Sequence, residues 1–359
     1  MNEFFYNILT NFYDLGQLVR ITRNHRGYIN ETYEIESFKD KKKCRWILRL
    51  YQKGVLEEKI KFEHALLLEL AQRGFEISPR VILTKDNTTF LKVPKETKKG
   101  GAEAYISVYS CLPGKDKYSW DQPLCTDMEL KNAAEILALY HSTIYEWKSE
   151  INWTEPRDID KAPMMPAQLA GYVENAGTSV FDQYFSEHFD YLFKIFKKCK
   201  KKNVYNAMPH LAAHGDYHPG NLKFQNGKVS GVLDFDWSKM DMRSLDVGRG
   251  IYFFCTAWEG IADGKLLLER VDSFLEAYQS AAKELKGIGP LRRAELEYLP
   301  EMIHLSNLCV INWTLDEFYN TDRDPREYFI YLRHCVQCIQ WMECNRGRLS
   351  RCVSNHEVR

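Results

Sequence analysis

Apolar positions along the chain change character near residue 110. Before that point they come in short runs. "GYINETYEIES" and "CRWILRLYQ" are rich in β-branched and aromatic residues and are separated by the charged turn "FKDKKK", which predicts two strands. One helix interrupts them. In "EEKIKFEHALLLELAQRG" the residues Ile60, Phe62, Leu66, Leu67 and Leu70 recur at helical spacing, and Gly74 follows as a stop. "RVILTKDNTTFLKV" then predicts a hairpin around Asp86 and Asn87, and "AYISVYSCL" a further strand. "KETKKGGAE", from Lys95 to Glu103, is expected to be a flexible hairpin tip, and "PGKDKYSWDQP" a loop.

From Thr126 the period is helical. Thr126 and Glu129 make a capping-box pattern, followed by an apolar face of Leu130, Ala133, Ala134, Leu137 and Ile144. Helical patterns return at "SVFDQYFSEHFDYLFKIFKKCKKK", at "LLLERVDSFLEAYQSAAKELKG" and through the last sixty residues, with a frayed end. Among them lies "HLAAHGDYHPGNLKFQNGKVSGVLDFDW", an irregular loop followed by two short strands around Asn226-Gly227. The expectation is an α+β chain of two lobes. A small antiparallel-sheet lobe with one helix spans 1–110, a connector spans 111–115, and a larger, mainly helical lobe spans 116–359.

Composition agrees with two lobes. The chain has 359 residues, more than one simple core accommodates, with 45% hydrophobic and 27% charged residues. Forty-nine basic residues balance forty-nine acidic ones, which argues against nucleic-acid or membrane-surface partners. No run approaches the roughly 20 apolar residues of a membrane span. The first residues lack the basic segment of a secretory signal, so the ten cysteines are read as reduced thiols of a cytoplasmic protein. Cys335, Cys338 and Cys344 are read as a packed helix face rather than a zinc site.

The chemistry concentrates in His210–Trp237. Asp216 and Asn221 have four residues between them, and Asp234 follows thirteen residues later, after "GVL". An amide and carboxylates on neighbouring loops suit magnesium, which takes a few protein oxygens and keeps its other positions for water and phosphate. Asp216 then takes a separate role, accepting the proton of a hydroxyl that attacks a phosphoryl group. The Asp-x4-Asn spacing is that of the protein-kinase catalytic loop, and Asp234 stands where the metal-binding Asp of D-F-G stands. This assigns 214–221 as a catalytic loop and 234–236 as a metal loop.

"HGDYHPGN" followed by "GVLDFDW" resembles the signature of the aminoglycoside phosphotransferase and choline kinase superfamily, with its protein-kinase-like fold. The look is closest to bacterial homoserine-kinase-type II phosphotransferases. The resemblance implies ATP and Mg²⁺ as cofactors, and it places further residues. Arg49 in "WILRLY" falls where the family has the basic residue that meets the nucleotide phosphates, with Glu63 at the helix glutamate that anchors it. Most kinases have Lys at that position, but the forked guanidinium also binds phosphate oxygens. "RGYINETYEI" resembles the nucleotide-binding loop. Gly27 is its single glycine, so Asn30 and Thr32 would supply side-chain donors to the phosphates. "YISVYSCLPGK", with Tyr109 and Cys111, resembles the strand that meets the adenine ring. Asp246 lies in a segment like the aspartate-bearing one after the metal loop. His214 and His218 are read as scaffolding, and His141 as packing under the catalytic loop.

The phosphate acceptor would be a small hydroxylated metabolite: an amino alcohol, a homoserine-like compound, a sugar or an aminoglycoside-like compound. Candidate acceptor residues are Asp236, Trp237, Trp313 and Asp316, with Trp258, Glu317 and Tyr319 in the same regions. Aromatics with acids suit a cationic amine. The alternative is a non-catalytic nucleotide-binding pseudokinase with an assembly role, as in spore-coat relatives. A protein kinase is disfavoured, because no A-P-E segment follows Asp234.

Overall fold

The computed structural model describes residues 2–24, 29–95, 102–119 and 121–357. Gly27 and most of the expected hairpin tip, 96–101, lie outside them. By compactness the chain divides into two units. The first takes Met1–Gly114, Lys148–Trp153 and Ser230–Asp236; the second takes Lys115–Trp147, Thr154–Val229 and Trp237–Arg359.

The first unit is built on a six-stranded antiparallel sheet among the described residues. Its elements are α1 (Asn2–Phe12), β1 (Gln17–Asn24), β2 (Glu31–Lys39), β3 (Lys42–Leu50), α2 (Glu57–Gln72), β4 (Val81–Ile82), β5 (Leu91–Lys95) and β6 (Ala102–Ser110). Strand order is β1-β2-β3-β6-β4, with β5 also on β6. β2 and β3 are the two expected strands, turned at Asp40 and Lys41, both at positive φ. Two elements were not expected. α1 carries Phe5, Ile8 and Leu9 at helical spacing and buries them against Tyr33, Ile35, Leu48, Ile106 and Val108 of the sheet. β1 ("QLVRITRN") is an edge strand with no buried position, so it lacks an apolar face to betray it.

The hairpin expected over 80–93 is corrected. Its turn exists, with Thr84 N donating to the Thr88 carbonyl and Asn87 at φ 60. Yet β4 and β5 do not pair with each other. β6 is nine residues long, and its one edge takes β4 at Tyr109 and Val108 and β5 from Ile106 to Ala102. Segment 230–236 joins this unit through Val232 N, which donates to the Ile77 carbonyl at 2.7 Å, and Ser230 Oγ, which donates to Pro113 O at 2.9 Å.

The second unit is mostly helical: α3 (Asp127–Ile144), α4 (Asp158–Lys161), α5 (Met165–Glu174), α6 (Val180–Lys198), α7 (Arg243–Cys255), α8 (Leu268–Glu284), α9 (Arg293–Asn320) and α10 (Pro325–Ser354). Thr126 caps α3 in the expected capping box, its hydroxyl accepting from Glu129 N while the Glu129 carboxylate accepts from Thr126 N. Short strands punctuate the helices: β7 (His210–Ala213) pairs with β10 (Lys239–Met242), and β8 (Leu222–Gln225) with β9 (Lys228–Val232). Asn226 and Gly227 turn the second pair at φ 52 and 75, as a two-residue hairpin of the primed type requires. Cys335 and Cys338 lie buried on α10, the Cys335 thiol against Tyr252 Oη.

All thirteen residues of α7 are buried, including Arg243, Asp246 and Arg249. Three charges on a helix surrounded by protein need partners in place. Arg243 pairs with Glu295 through both forks of its guanidinium and donates to the Gly289 and Pro290 carbonyls. Glu295→Ala would strand that cation, and unfolding in urea should show a loss of about 3–5 kcal/mol; a loss below about 1 kcal/mol would contradict the pairing as described.

Candidate active site

In the first unit, the sheet and α2 present one guanidinium to two carboxylates. Arg49, near the end of β3, donates from Nη1 to Glu63 Oε1 at 3.0 Å and from Nη2 to Asp234 Oδ1 at 2.9 Å. The Arg49 and Glu63 side chains are 13% and 4% exposed, whereas Asp234 is 40% exposed, so the pair is sunk and the Asp234 carboxylate is open. Burial opposes the charge on Arg49, but Asp234 and Glu63 more than offset it and hold the guanidinium charged. Burial pushes the Glu63 carboxyl up against the pull of Arg49 and Tyr51.

Asp234 has φ 61, the left-handed region that non-glycine residues seldom occupy. Such strain concentrates where a side chain must be aimed. Asp236, two residues on, accepts from Asn30 Nδ2 at 2.8 Å, and Asn30 Oδ1 in turn accepts from Gln52 N at 3.0 Å. Asn30 thus ties the 234–236 segment to the backbone beyond β3. Among the described residues Asp236 Oδ1 is buried with no hydrogen-bond partner. Burial and the neighbouring Asp234 drive its carboxyl well above the ordinary range.

Asp234 and Asp236 oppose one another's charge, and both offer oxygen ligands. That donor set suits a hard cation such as magnesium. Thr32 stands opposite Arg49 in the β2–β3 register. Cys111 follows β6, its N–H donating to the Arg45 carbonyl at 3.4 Å. The Tyr109 side chain points into the Arg49–Glu63 cluster, lying 5.5 Å from the guanidinium by its ring centre.

In the second unit, the loop after β7 carries Asp216 and Asn221. Its backbone is pinned by Asp246 on α7, whose Oδ2 accepts from His214 N at 2.8 Å and whose Oδ1 accepts from Gly215 N at 3.0 Å. His141 on α3 lies at 3.0 Å from the same Oδ2, with its Nδ1 on Tyr278 Oη. Burial lowers the His141 pKa, so a neutral ring donates Nε2–H to an ionised Asp246. The Gly215 carbonyl accepts from Arg249, which also pairs with Asp158 at 2.7 Å. Gly215 is at φ 79, and a Cβ there would come within 2.3 Å of the Trp237 carbonyl oxygen. Only glycine fits that crossing.

These anchors aim Asp216. Its Oδ2 accepts from Asn221 Nδ2 at 2.8 Å and faces His218 Nε2 at 3.4 Å. His218 Nδ1 accepts from Gly220 N, fixing the Pro219–Asn221 turn that brings Asn221 round. Among the described residues no hydrogen bond ends on Asp216 Oδ1 or on Asn221 Oδ1. One carboxylate oxygen is therefore open to a substrate proton, and one amide oxygen to a cation. Burial pushes the Asp216 carboxyl up, but His218, His214 and Arg249 outweigh it and hold the group below the ordinary aspartate value.

The acceptor candidates are dispersed. Trp237 is 36% exposed and follows the metal loop directly. Trp313 and Asp316 lie on α9, where Asp316 accepts from Tyr172 Oη at 2.6 Å and from Asn320 at 2.9 Å. Sequence reasoning missed Tyr51 and His64 beside Glu63, and Asp158 and Arg249 behind Gly215. Asp246 and Arg249 at i, i+3 on one helix were the available signal for the latter.

Residues 20–296 match the family model described as "Phosphotransferase enzyme family" (APH). The chain belongs to that family. It is a small-molecule kinase with a protein-kinase-like fold, a mixed chain with an antiparallel sheet first and helices after it. It is 24% identical over 330 residues to a homoserine kinase of Bradyrhizobium sp. (strain ORS 278), covering 89% of each chain. It is 22% identical over 335 residues to a homoserine kinase of Gluconobacter oxydans (strain 621H), covering 90% of this chain and 92% of that one. Among solved structures it is similar to amicoumacin kinase in complex with AMP-PNP, Ca²⁺ and Ami. The TM-score is 0.64 at 14% identity, over 94% of this chain and 93% of that one. It is also similar to choline kinase from Cryptosporidium parvum Iowa II, with a TM-score of 0.62 at 12% identity over 99% of both chains.

Replacing Asp246 of this kinase with Ala removes the acceptor of two buried N–H groups. Each unmet group costs about 1–3 kcal/mol. The variant should unfold at lower urea and, where folded, lose kcat while retaining its KM for the phosphate donor; an unchanged kcat would show that Asp246 does not set the loop.

Proposed function

We propose that the protein transfers the γ-phosphate of ATP to a hydroxyl of a small metabolite, with Asp216 as the base. The observation that carries this reading is the Asp216 carboxylate, with Oδ2 held by Asn221 and Oδ1 left open. In the reaction the acceptor oxygen bonds to Pγ while the Pγ–Oβγ bond breaks. The hydroxyl proton passes to Asp216, and ADP leaves with the bonding electron pair. Arg49, steadied by Glu63, would meet the phosphate oxygens with its fork. Asn30 and Thr32 would lie along the phosphates, and the strand end at Tyr109 and Cys111 along the base. Asp234 in the first unit and Asn221 in the second are the side chains we assign to magnesium, and Asp236 follows Asp234 by two residues in the chain. Magnesium, when bound, would neutralise charge on the phosphates as they separate. Positioning and charge do most of this work, since phosphoryl transfer asks for little covalent chemistry from the protein.

The homoserine kinases among its relatives make homoserine the first acceptor to test, followed by other amino alcohols, then sugars. Trp237, Trp313 and Asp316 are the side chains we assign to acceptor recognition. No helix among the described residues is long and apolar enough to cross a membrane, and a cytoplasmic location goes with a metabolite substrate. The pseudokinase alternative gains nothing from the site, because Asp216, Asn221 and Asp234 are all present.

Two outcomes follow. A panel of hydroxylated metabolites with labelled ATP and Mg²⁺ should show transfer to at least one compound, and Asp216→Ala should lower it by about 10²–10⁴-fold; transfer that survives the substitution would remove Asp216 as base. Because the Asp216 pKa lies below its ordinary value, the carboxylate stays ionised as pH falls through about 3.9. The acid limb that Asp216 sets on kcat/KM should therefore lie below that value, and protonation of Asp216 should remove activity only under it. An acid limb well above that value would show that a group other than Asp216 sets it.

A further inference from the structure

Behind Glu63 lies a buried cluster whose hydroxyl and imidazole groups the proposed chemistry does not use. Tyr51 Oη donates to Glu63 Oε2 at 2.9 Å, the oxygen that Arg49 does not take. Tyr51 Oη lies 2.7 Å from Tyr109 Oη, and Tyr109 Oη lies 2.8 Å from His64 Nε2. Both tyrosines and His64 are buried. The two tyrosine rings also flank the guanidinium, at 5.9 and 5.5 Å from ring centre to Cζ.

The protons in this cluster can be counted. A carboxylate only accepts, so the Tyr51 proton goes to Glu63. Tyr109 Oη also lies 3.4 Å from Glu63 Oε1, and Tyr51 Oη 3.2 Å from His64 Nε2, but the 2.7 Å contact is the shortest open to the Tyr109 proton, so Tyr51 Oη accepts from Tyr109. Tyr109 Oη, having given its proton away, accepts from His64 Nε2–H. His64 Nδ1 is buried with no hydrogen-bond partner among the described residues. A proton there would be a buried N–H with nothing to receive it, which is costlier than a bare lone pair. Burial, with Arg49 nearby, pushes the His64 pKa down to about 3, so the ring is neutral and carries one proton. Every donor in the cluster then points the same way, toward Glu63.

We propose that His64, Tyr109 and Tyr51 are positioning residues for the nucleotide site, a one-way hydrogen-bond chain running His64 Nε2–H to Tyr109 to Tyr51 to Glu63 Oε2. The chain fixes the second oxygen of Glu63, so that the first presents Arg49 with its fork in one orientation. It rests on the reading of Arg49 as the phosphate partner. Chained donors strengthen one another, so loss of one link weakens the next.

The test is binding of AMP-PNP with Mg²⁺ to the full chain by calorimetry. Tyr51→Phe keeps the ring over Arg49 and removes only the hydroxyl. It should weaken binding roughly tenfold or more, the range for a hydrogen bond to a charged group. Tyr109→Phe should weaken it less. In an Arg49→Ala background neither substitution should weaken binding further, an outcome that general destabilisation would not produce. On the unaltered protein, ¹H–¹⁵N spectra of the His64 ring should place its proton on Nε2. If Arg49→Ala leaves AMP-PNP affinity unchanged, the underlying reading fails and the chain has no role. If Arg49→Ala weakens binding but Tyr51→Phe does not, or does so equally in both backgrounds, the positioning role is wrong while Arg49 stands. A proton on Nδ1 would reverse the order and overturn the chain as drawn.

Discussion

A charge taken out of water must be met by opposite charge or by aligned hydrogen bonds, and both units are organised by that constraint. In the first unit the guanidinium of Arg49 faces Glu63 and Asp234. In the second, Asp246 receives two backbone N–H groups and a neutral imidazole, and Arg249 answers with a hydrogen bond to the carbonyl of the same Gly215. The pairings do more than offset desolvation. Each one fixes a short irregular segment of backbone that no strand or helix would hold.

The two halves of the chemistry are held differently. Asp216 is aimed by its own loop: Asn221, His218 and His214 all come from within five residues of it. Asp234 is aimed by distant groups. Its partner Arg49 is 185 residues earlier, and its own backbone is in a strained conformation. Asp236 is likewise reached by Asn30, 206 residues away. A local loop tolerates a simple sequence signature, whereas the partners of Asp234 and Asp236 lie far away along the chain.

Local features were therefore easy to read. The spacing of Asp216 and Asn221, the box at Thr126 and Glu129, the turn at Asn226-Gly227 and the apolar stripe of α2 each involve residues a few positions apart. α1 was not expected, although Phe5, Ile8 and Leu9 keep the helical period: Asn2, Asn7 and Asn11 interrupt its apolar pattern, and its burial is supplied by the sheet. β1 offered no pattern, because an exposed edge strand has no face that must be apolar.

The sequence by itself determined the groups available: carboxylates and an amide at kinase-like spacing, and a cation-and-acid pair fourteen residues apart. It also determined the change from strand to helix along the chain, because periodicity is a property of neighbouring residues. Tertiary structure decided which groups meet. β4 and β5 pair with β6 instead of with each other because one long strand offers both a shared edge. Residues 230–236 return to the first unit because Val232 and Asp234 find partners there. Tyr51, His64 and Tyr109 converge on Glu63 from the end of β3, from α2 and from β6. Hydrogen bonds and ion pairs act over about 3 Å, and only the folded chain brings such distant positions that close.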